Sequence, residues 1–136
     1  MTFMLHPQLA ADTVLVNEEE DLLLLMMNDR QYPWFIVVPK QDGITEWHEL
    51  SEEIQIRLHL YCVRLGKAIA RSFGSQKINT AALGNMVSQL HVHVIGRQQD
   101  DPAWPKPVWG HSQPIPMEEK ELNTRASTLK QYFSCN

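Results

Sequence analysis

Two histidines, His91 and His93, stand one residue apart in the stretch Gln89-Leu90-His91-Val92-His93-Val94-Ile95, where polar or imidazole side chains alternate with aliphatic ones. A strand sends successive side chains to opposite faces, so the pattern predicts Leu90, Val92 and Val94 on a buried face. It places Gln89, His91 and His93 on the other face, roughly 7 Å apart at each step. An imidazole is neutral near pH 7, nucleophilic, and able to leave again once phosphorylated, so such a row suits attack on a phosphate diester or anhydride. That chemistry needs an acceptor for the second ring nitrogen, donors for the phosphate charge, and protonation of the leaving group. The turn Gly84-Asn85 ahead of the row offers backbone amides for the second need. Asn85 itself suits either a phosphate contact or a left-handed turn conformation. His-x-His on a strand has another use, holding one Zn²⁺ from a single face. A third ligand would then come from His48, His111, Cys62 or an acid, none at a telling spacing. Two functionless histidines on an exposed sheet face are the remaining reading.

The elements that must position this row follow from periodicity and punctuation. His6 to Asp12 opens with a short helix. Thr13 to Val16 is β-branched and reads as a strand, followed by an acidic, solvated connection to Asp21. Leu22 to Met27 reads as a buried strand by its length and flanking turn residues, while periodicity alone also admits a helix. Asn28 to Pro33 supplies hairpin-loop chemistry, and Trp34 to Val38 is the return strand, closed by Pro39. From Ser51 the period changes: Ile54, Leu58, Tyr61, Leu65, Ala68 and Ile69 recur at helical spacing. With Ser51 as N-cap, Glu52 and Glu53 in the first turn and Gly74 as the stop, this predicts a long amphipathic helix from about Ser51 to Ser72. Lys77 to Leu83 is a strand, Gly84 to Ser88 a turn, and Gln89 to Arg97 the neighbouring strand. Met117 to Phe133 has helical spacing at Leu122, Leu129 and Phe133 and predicts a terminal helix. Strands, one long helix, then two more strands make an α+β domain with the helix on one face of a mostly antiparallel sheet. Trp34 and Trp47 read as core or interface residues, and His59 as a solvated helical residue.

At 136 residues and 43% hydrophobic content the chain reads as one domain spanning 1–136, with a core of about 13–110 and a tail of 111–136. The net charge is -4, and Lys and Arg are scattered, so no footprint for a nucleic acid polymer or an anionic membrane is expected. The longest apolar run, Leu22 to Met27, is far too short to span a bilayer. A signal peptide is not expected, because no basic region opens the chain and Asp12 comes early; the cytoplasm is the expected location. Cys62 and Cys135 are distant lone thiols, and no disulfide is expected.

Gln-Leu-His-Val-His-Val-Ile resembles the His-φ-His-φ-His-φ-φ signature of the histidine triad (HIT) family of nucleotide hydrolases and transferases, φ being aliphatic. Gln89 stands where the family has its first His. The segment Asp101-Pro102-Ala103-Trp104-Pro105-Lys106-Pro107-Val108-Trp109-Gly110 is similar to the tail of a bacterial branch of that family. The resemblance implies a five-stranded sheet, a homodimer, and a nucleotide or nucleotide conjugate as partner, with no cofactor and no metal in the chemical step. It implies that His91 attacks the α-phosphate and forms a nucleotidyl-histidine that is passed to water, and that His93 binds phosphate oxygens. Gln89 then acts as a neutral donor, since a carboxamide cannot shuttle a proton near neutral pH. Asn79 falls where the family has an Asn that contacts ribose or phosphate. Asp42 falls near a place where many members carry a His, and Met86 where many carry a small hydroxyl residue. Trp104 and Trp109 would stack on a base, close the partner subunit's pocket, or pack on the dimer. A nucleotide-binding module with lost or weak catalysis is the alternative that Gln89 keeps open.

Overall fold

In the computed structural model, which describes residues 2–134, five strands form one sheet flanked by three helices. The elements are α1 (Pro7–Asp12), β1 (Thr13–Glu18), β2 (Leu22–Met27), β3 (Trp34–Pro39), α2 (Glu52–Phe73), β4 (Lys77–Ala81), β5 (Val92–Arg97) and α3 (Glu119–Ser134), with a single 3-10 turn at Trp47–Glu49. The strand order is β1-β2-β3-β5-β4, and every neighbouring pair is antiparallel. This is the α+β arrangement that the periodicities predict.

The long helix forms where its end signals stand. Ser51 Oγ accepts from the Ile54 amide at 3.3 Å, Glu52 and Glu53 occupy the first turn, and Gly74 takes a left-handed conformation, φ 66°, that ends it. Its buried stripe, Leu58, Tyr61, Leu65, Ala68 and Ile69, packs on Leu24, Met26, Phe35, Val37, Val92 and Val94, with Leu129 and Phe133 of α3 in the same cluster. Each buried Leu, Ile, Val, Phe or Met in this cluster contributes about 1.5–3 kcal/mol by leaving water. At Gly96 the approach is closest: an added Cβ would lie 2.8 Å from Ile69 Cγ2. Burial pushes the Cys62 thiol on this helix up to about 12. Cys135 lies outside the described residues.

The opposite sheet face is also covered. Leu23, Leu25, Trp34, Ile36, Val38 and Ile95 pack with Leu9, Val87, Ala103 and Val108, contributed by α1 and by the segments on either side of β5. Central strands buried on both faces explain why β2 and β3 read as unbroken apolar runs.

Three expectations are corrected. The last strand begins at Val92, so Gln89 and His91 precede it instead of sharing its pleat. Leu90 still joins the helix-side core with Val92 and Val94. The β4 strand ends at Ala81, because the chain must leave the sheet there to build the loop over the histidines. The acidic stretch is not simply solvated. Arg57 holds Asp21 at 2.6 and 2.7 Å and Glu19 at 3.2 Å, and Lys40 meets Glu18 at 2.6 Å. The arginine's hydrogen bond, opposed by partial burial, leaves the Asp21 carboxyl below its ordinary range. No helix among the described residues is long and apolar enough to cross a membrane.

Candidate active site

His91 and His93 meet on the face away from α2, their ring centroids 4.9 Å apart and nearly perpendicular. Both are buried, at 6% and 5% exposure. They floor a cleft of about 360 Å³ whose walls are Leu9 and Asp12 of α1, Met27, Trp34 and Ile36 of the sheet, the loop from Leu83 to Val87, and Trp109. On its other side His91 borders a smaller cleft of about 180 Å³ lined by Thr45, Glu46, Trp47 and Gly84.

Two hydrogen bonds fix the imidazole tautomers. His91 Nδ1 lies 2.7 Å from the Gln89 carbonyl oxygen. A carbonyl only accepts, so the proton sits on Nδ1 and the Nε2 lone pair is left for chemistry. Trp34 Nε1 donates to His93 Nδ1 at 2.9 Å. An indole only donates, so His93 carries its proton on Nε2 and is itself a neutral donor. Burial, and secondarily the neighbouring His91, push the His93 pKa down to about 3, which keeps it uncharged at neutral pH.

The aromatic frame around His93 combines one tilted contact, to Trp34, with edge contacts to and from Trp109. Trp34 lies 5.8 Å and Trp109 5.2 Å from the His93 ring, and the two indoles are 6.1 Å apart at 89°. The Trp109 Nε1 is buried and has no hydrogen-bond partner among the described residues. Trp109 reaches this place because the segment before it is bolted to the sheet. Arg97, 1% exposed, forms a two-point ion pair with Asp101 at 2.7 and 3.0 Å, and donates to the Lys106 carbonyl at 2.8 Å. Asp101 also accepts from the amides of Gln98, Ala103 and Trp104. Burial works to raise the Asp101 pKa. Its bonds from Arg97, Gln98 and Trp104 outweigh that and hold the carboxyl below its ordinary range.

Three expected site residues sit elsewhere than the pattern placed them. The Gln89 carboxamide turns to the N-terminal segment: Oε1 accepts from the His6 amide at 2.8 Å, and Nε2 donates to the Met4 carbonyl at 3.0 Å. Asn79 Oδ1 accepts from Arg97 at 2.8 Å. The side chain borders a groove shared with Thr80, Pro107 and Trp109. Trp104 lies over the Arg97 guanidinium at 5.6 Å, outside the histidine cleft. Asn85 does line the cleft, but it does not adopt the left-handed turn; Gly84 does, at φ 69°. Met86 is 97% exposed at the cleft edge. His48 and His59 are exposed. Among the described residues, no group of three or more His, Cys, Asp or Glu side chains is arranged to hold a metal ion.

Sequence reasoning missed one site residue and left the choice between two others open. Trp34 read as a core or interface residue, because nothing local tells an indole's partner across two strands. Trp109 and Trp104 were indistinguishable by type, and only the Arg97 anchor decides which one reaches the cleft.

A HIT domain model matches residues 8–100 of the chain. The chain is 44% identical to a histidine triad protein from Marinobacter aquaeolei VT8, with a TM-score of 0.95 over 99% of this chain and 98% of that one. It is 38% identical to a histidine triad (HIT) protein from Sinorhizobium meliloti 1021, with a TM-score of 0.93 over 96% and 97%. At 15% identity the fold is shared with a diadenosine triphosphate hydrolase of Plasmodium falciparum, TM-score 0.68 over 90% and 77%. None of the curated proteins matches the sequence. The chain belongs to the HIT family.

Proposed function

We propose that this protein is a nucleotide hydrolase or nucleotidyl transferase acting on the α-phosphate of a nucleotide conjugate. The observation that carries the reading is the His91 Nδ1 bond to the Gln89 carbonyl, which leaves an unprotonated Nε2 on a residue that lines a cleft of nucleoside size. His91 Nε2 attacks the α-phosphorus and an N–P bond forms. The bond to the leaving group breaks, and that group departs with the electron pair. The Gln89 carbonyl stabilises the imidazolium character that develops. Water then attacks phosphorus and gives up a proton to solvent, the N–P bond breaks, and its electron pair returns to Nε2. His93 Nε2–H donates to a phosphate oxygen, with the backbone amides of the Gly84 to Val87 turn as further donors. Leu9, Ile36 and Met27 offer apolar surface for the base. Asn79 acts on substrate indirectly, through Arg97 and the segment that carries Trp109. The imidazole supplies the nucleophile, so no metal or cofactor enters this step.

The fold similarity to a diadenosine triphosphate hydrolase supports the same class of substrate. The protein works in the cytoplasm as a homodimer, with neither nucleic acid polymer nor membrane as partner. The test is hydrolysis of an adenosine phosphoramidate and of a diadenosine polyphosphate in EDTA, native protein against His91→Ala. Activity that survives EDTA and vanishes with His91 supports the reading. A native protein that binds AMP yet turns over neither substrate would favour the second reading, a binding module. The commitment of the Gln89 carboxamide to the N-terminal segment is what favours that alternative.

A further inference from the structure

We infer that Gln89 is a positioning residue that latches the N-terminal segment against the catalytic strand, so that α1 becomes a fixed wall of the nucleotide cleft. The inference rests on the nucleotide reading of that cleft.

The carboxamide of Gln89 engages the backbone of residues 4–6 as a strand would, accepting from the His6 amide at 2.8 Å and donating to the Met4 carbonyl at 3.0 Å. A third bond completes the hold: the Met4 amide donates to Asp42 Oδ1 at 3.1 Å. The strap then passes directly into α1. His6 Nδ1 accepts from the Gln8 amide at 3.0 Å as N-cap, and the Ala10 amide closes on the His6 carbonyl at 3.0 Å. On that helix Leu9 is buried and lines the cleft, with Asp12 beside it. The side chains of Phe3 and Leu5 pack on the outer sheet face, but apolar contact does not fix register. Directional hydrogen bonds do, and all three come from Gln89 and Asp42.

Gln89 therefore joins two things through one residue. Its carbonyl orients the His91 ring, and its side chain orients the wall opposite. Gln89 stands at the first triad position, and Asp42 near a separate place, after Pro39-Lys40, where many family members carry a histidine. An imidazole at 89 cannot accept and donate on adjacent backbone groups of one strand as a carboxamide does. Holding the strap is the role this chain gives to a residue that cannot exchange a proton with a leaving group.

The test uses the full chain with Gln89→Met, which keeps length and removes both polar ends, and Asp42→Ala, which cuts the strap's other anchor away from the imidazoles. Amide exchange of His6 and titration with AMP are measured in each. Losing its acceptor should speed His6 exchange about tenfold in Gln89→Met. Core amides of β2 and β3 should be unaffected. AMP affinity should fall about three- to tenfold in Gln89→Met and by a smaller factor in Asp42→Ala. His91→Ala should leave His6 exchange at the native rate. Unchanged His6 exchange in Gln89→Met overturns the latch. Faster exchange with native AMP affinity in both variants overturns its role in the cleft. If native protein fails to bind AMP, the nucleotide reading and the wall's role fail together, and the exchange arm still decides whether Gln89 holds the strap.

Discussion

His93 is buried with its Nδ1 committed to an indole N–H, and this arrangement stays neutral only by resisting protonation. The sign of the resulting pH dependence follows from linkage. The unfolded chain binds a proton at His93 near pH 6.5, whereas the folded chain holds that pKa at about 3. Between those values the unfolded state carries more protons, so stability rises with pH and levels off above about 6.5. Within that window the His93 contribution is at most about 1.4 kcal/mol per pH unit. Denaturant unfolding at pH 7.5, 6.0 and 5.0 should show this slope, and His93→Gln should flatten it; parallel profiles for the two proteins would count against the assignment. Trp34→Phe keeps the ring contact but removes the donor to His93 Nδ1. It should cost about 1–2 kcal/mol of stability and release the tautomer. If His93 is the phosphate donor proposed above, kcat/KM on a diadenosine polyphosphate should drop about tenfold, chiefly through kcat, because that donor is then no longer preset. A fall in stability with native kinetics would reduce Trp34 to a packing residue.

At the scale of elements, the site depends on β5 ending in a buried arginine. Arg97 draws Asp101, the Lys106 carbonyl and Asn79 around one guanidinium, between the Tyr32 and Trp104 rings at 5.8 and 5.6 Å. Removing one partner of a buried pair leaves the other charge uncompensated, at a cost of about 3–5 kcal/mol. Asp101→Asn should therefore lower thermal stability sharply and loosen the segment that delivers Trp109. The check is thermal unfolding together with the quenching of tryptophan fluorescence by acrylamide. A native quenching profile would mean that the segment is held by Ala103 and Val108 burial alone. This anchor also marks the limit of what was legible beforehand. Strand alternation placed Leu90, Val92 and Val94 in the core, and the Ser51 and Gly74 signals bounded α2 within a residue. Those features are written locally, in period and caps. The carboxamide of Gln89 bonding across 83 residues of sequence, and the choice of Trp109 over Trp104, depend on contacts that no local period encodes.

For the whole molecule, both sheet faces are covered, yet two apolar or unpaired features remain on one side. On α2, Ile56, Leu60 and Val63 are 54%, 60% and 57% exposed and recur at the spacing of one helical stripe. Next to them β4 is an edge strand, with an open groove between Val63, Lys67 and Ile78. An unpaired edge beside an apolar stripe is a liability in a monomer, and a two-fold axis answers both together. A second copy would extend the sheet through β4 and bury the stripe against its own equivalent. We place the proposed homodimer across this surface. Leu60→Glu would place two carboxylates near the axis, and Thr80→Pro would remove a ladder donor from the edge. In analytical ultracentrifugation the native protein should sediment as a dimer at micromolar concentration, and each variant should shift toward the monomer. A native monomer, or a dimer indifferent to both changes, would remove this surface from consideration. Among the described residues, none from α2 or β4 lines the histidine cleft. The monomeric variants should therefore keep native AMP affinity, whereas any loss of binding with dissociation would mean that the partner completes the cleft.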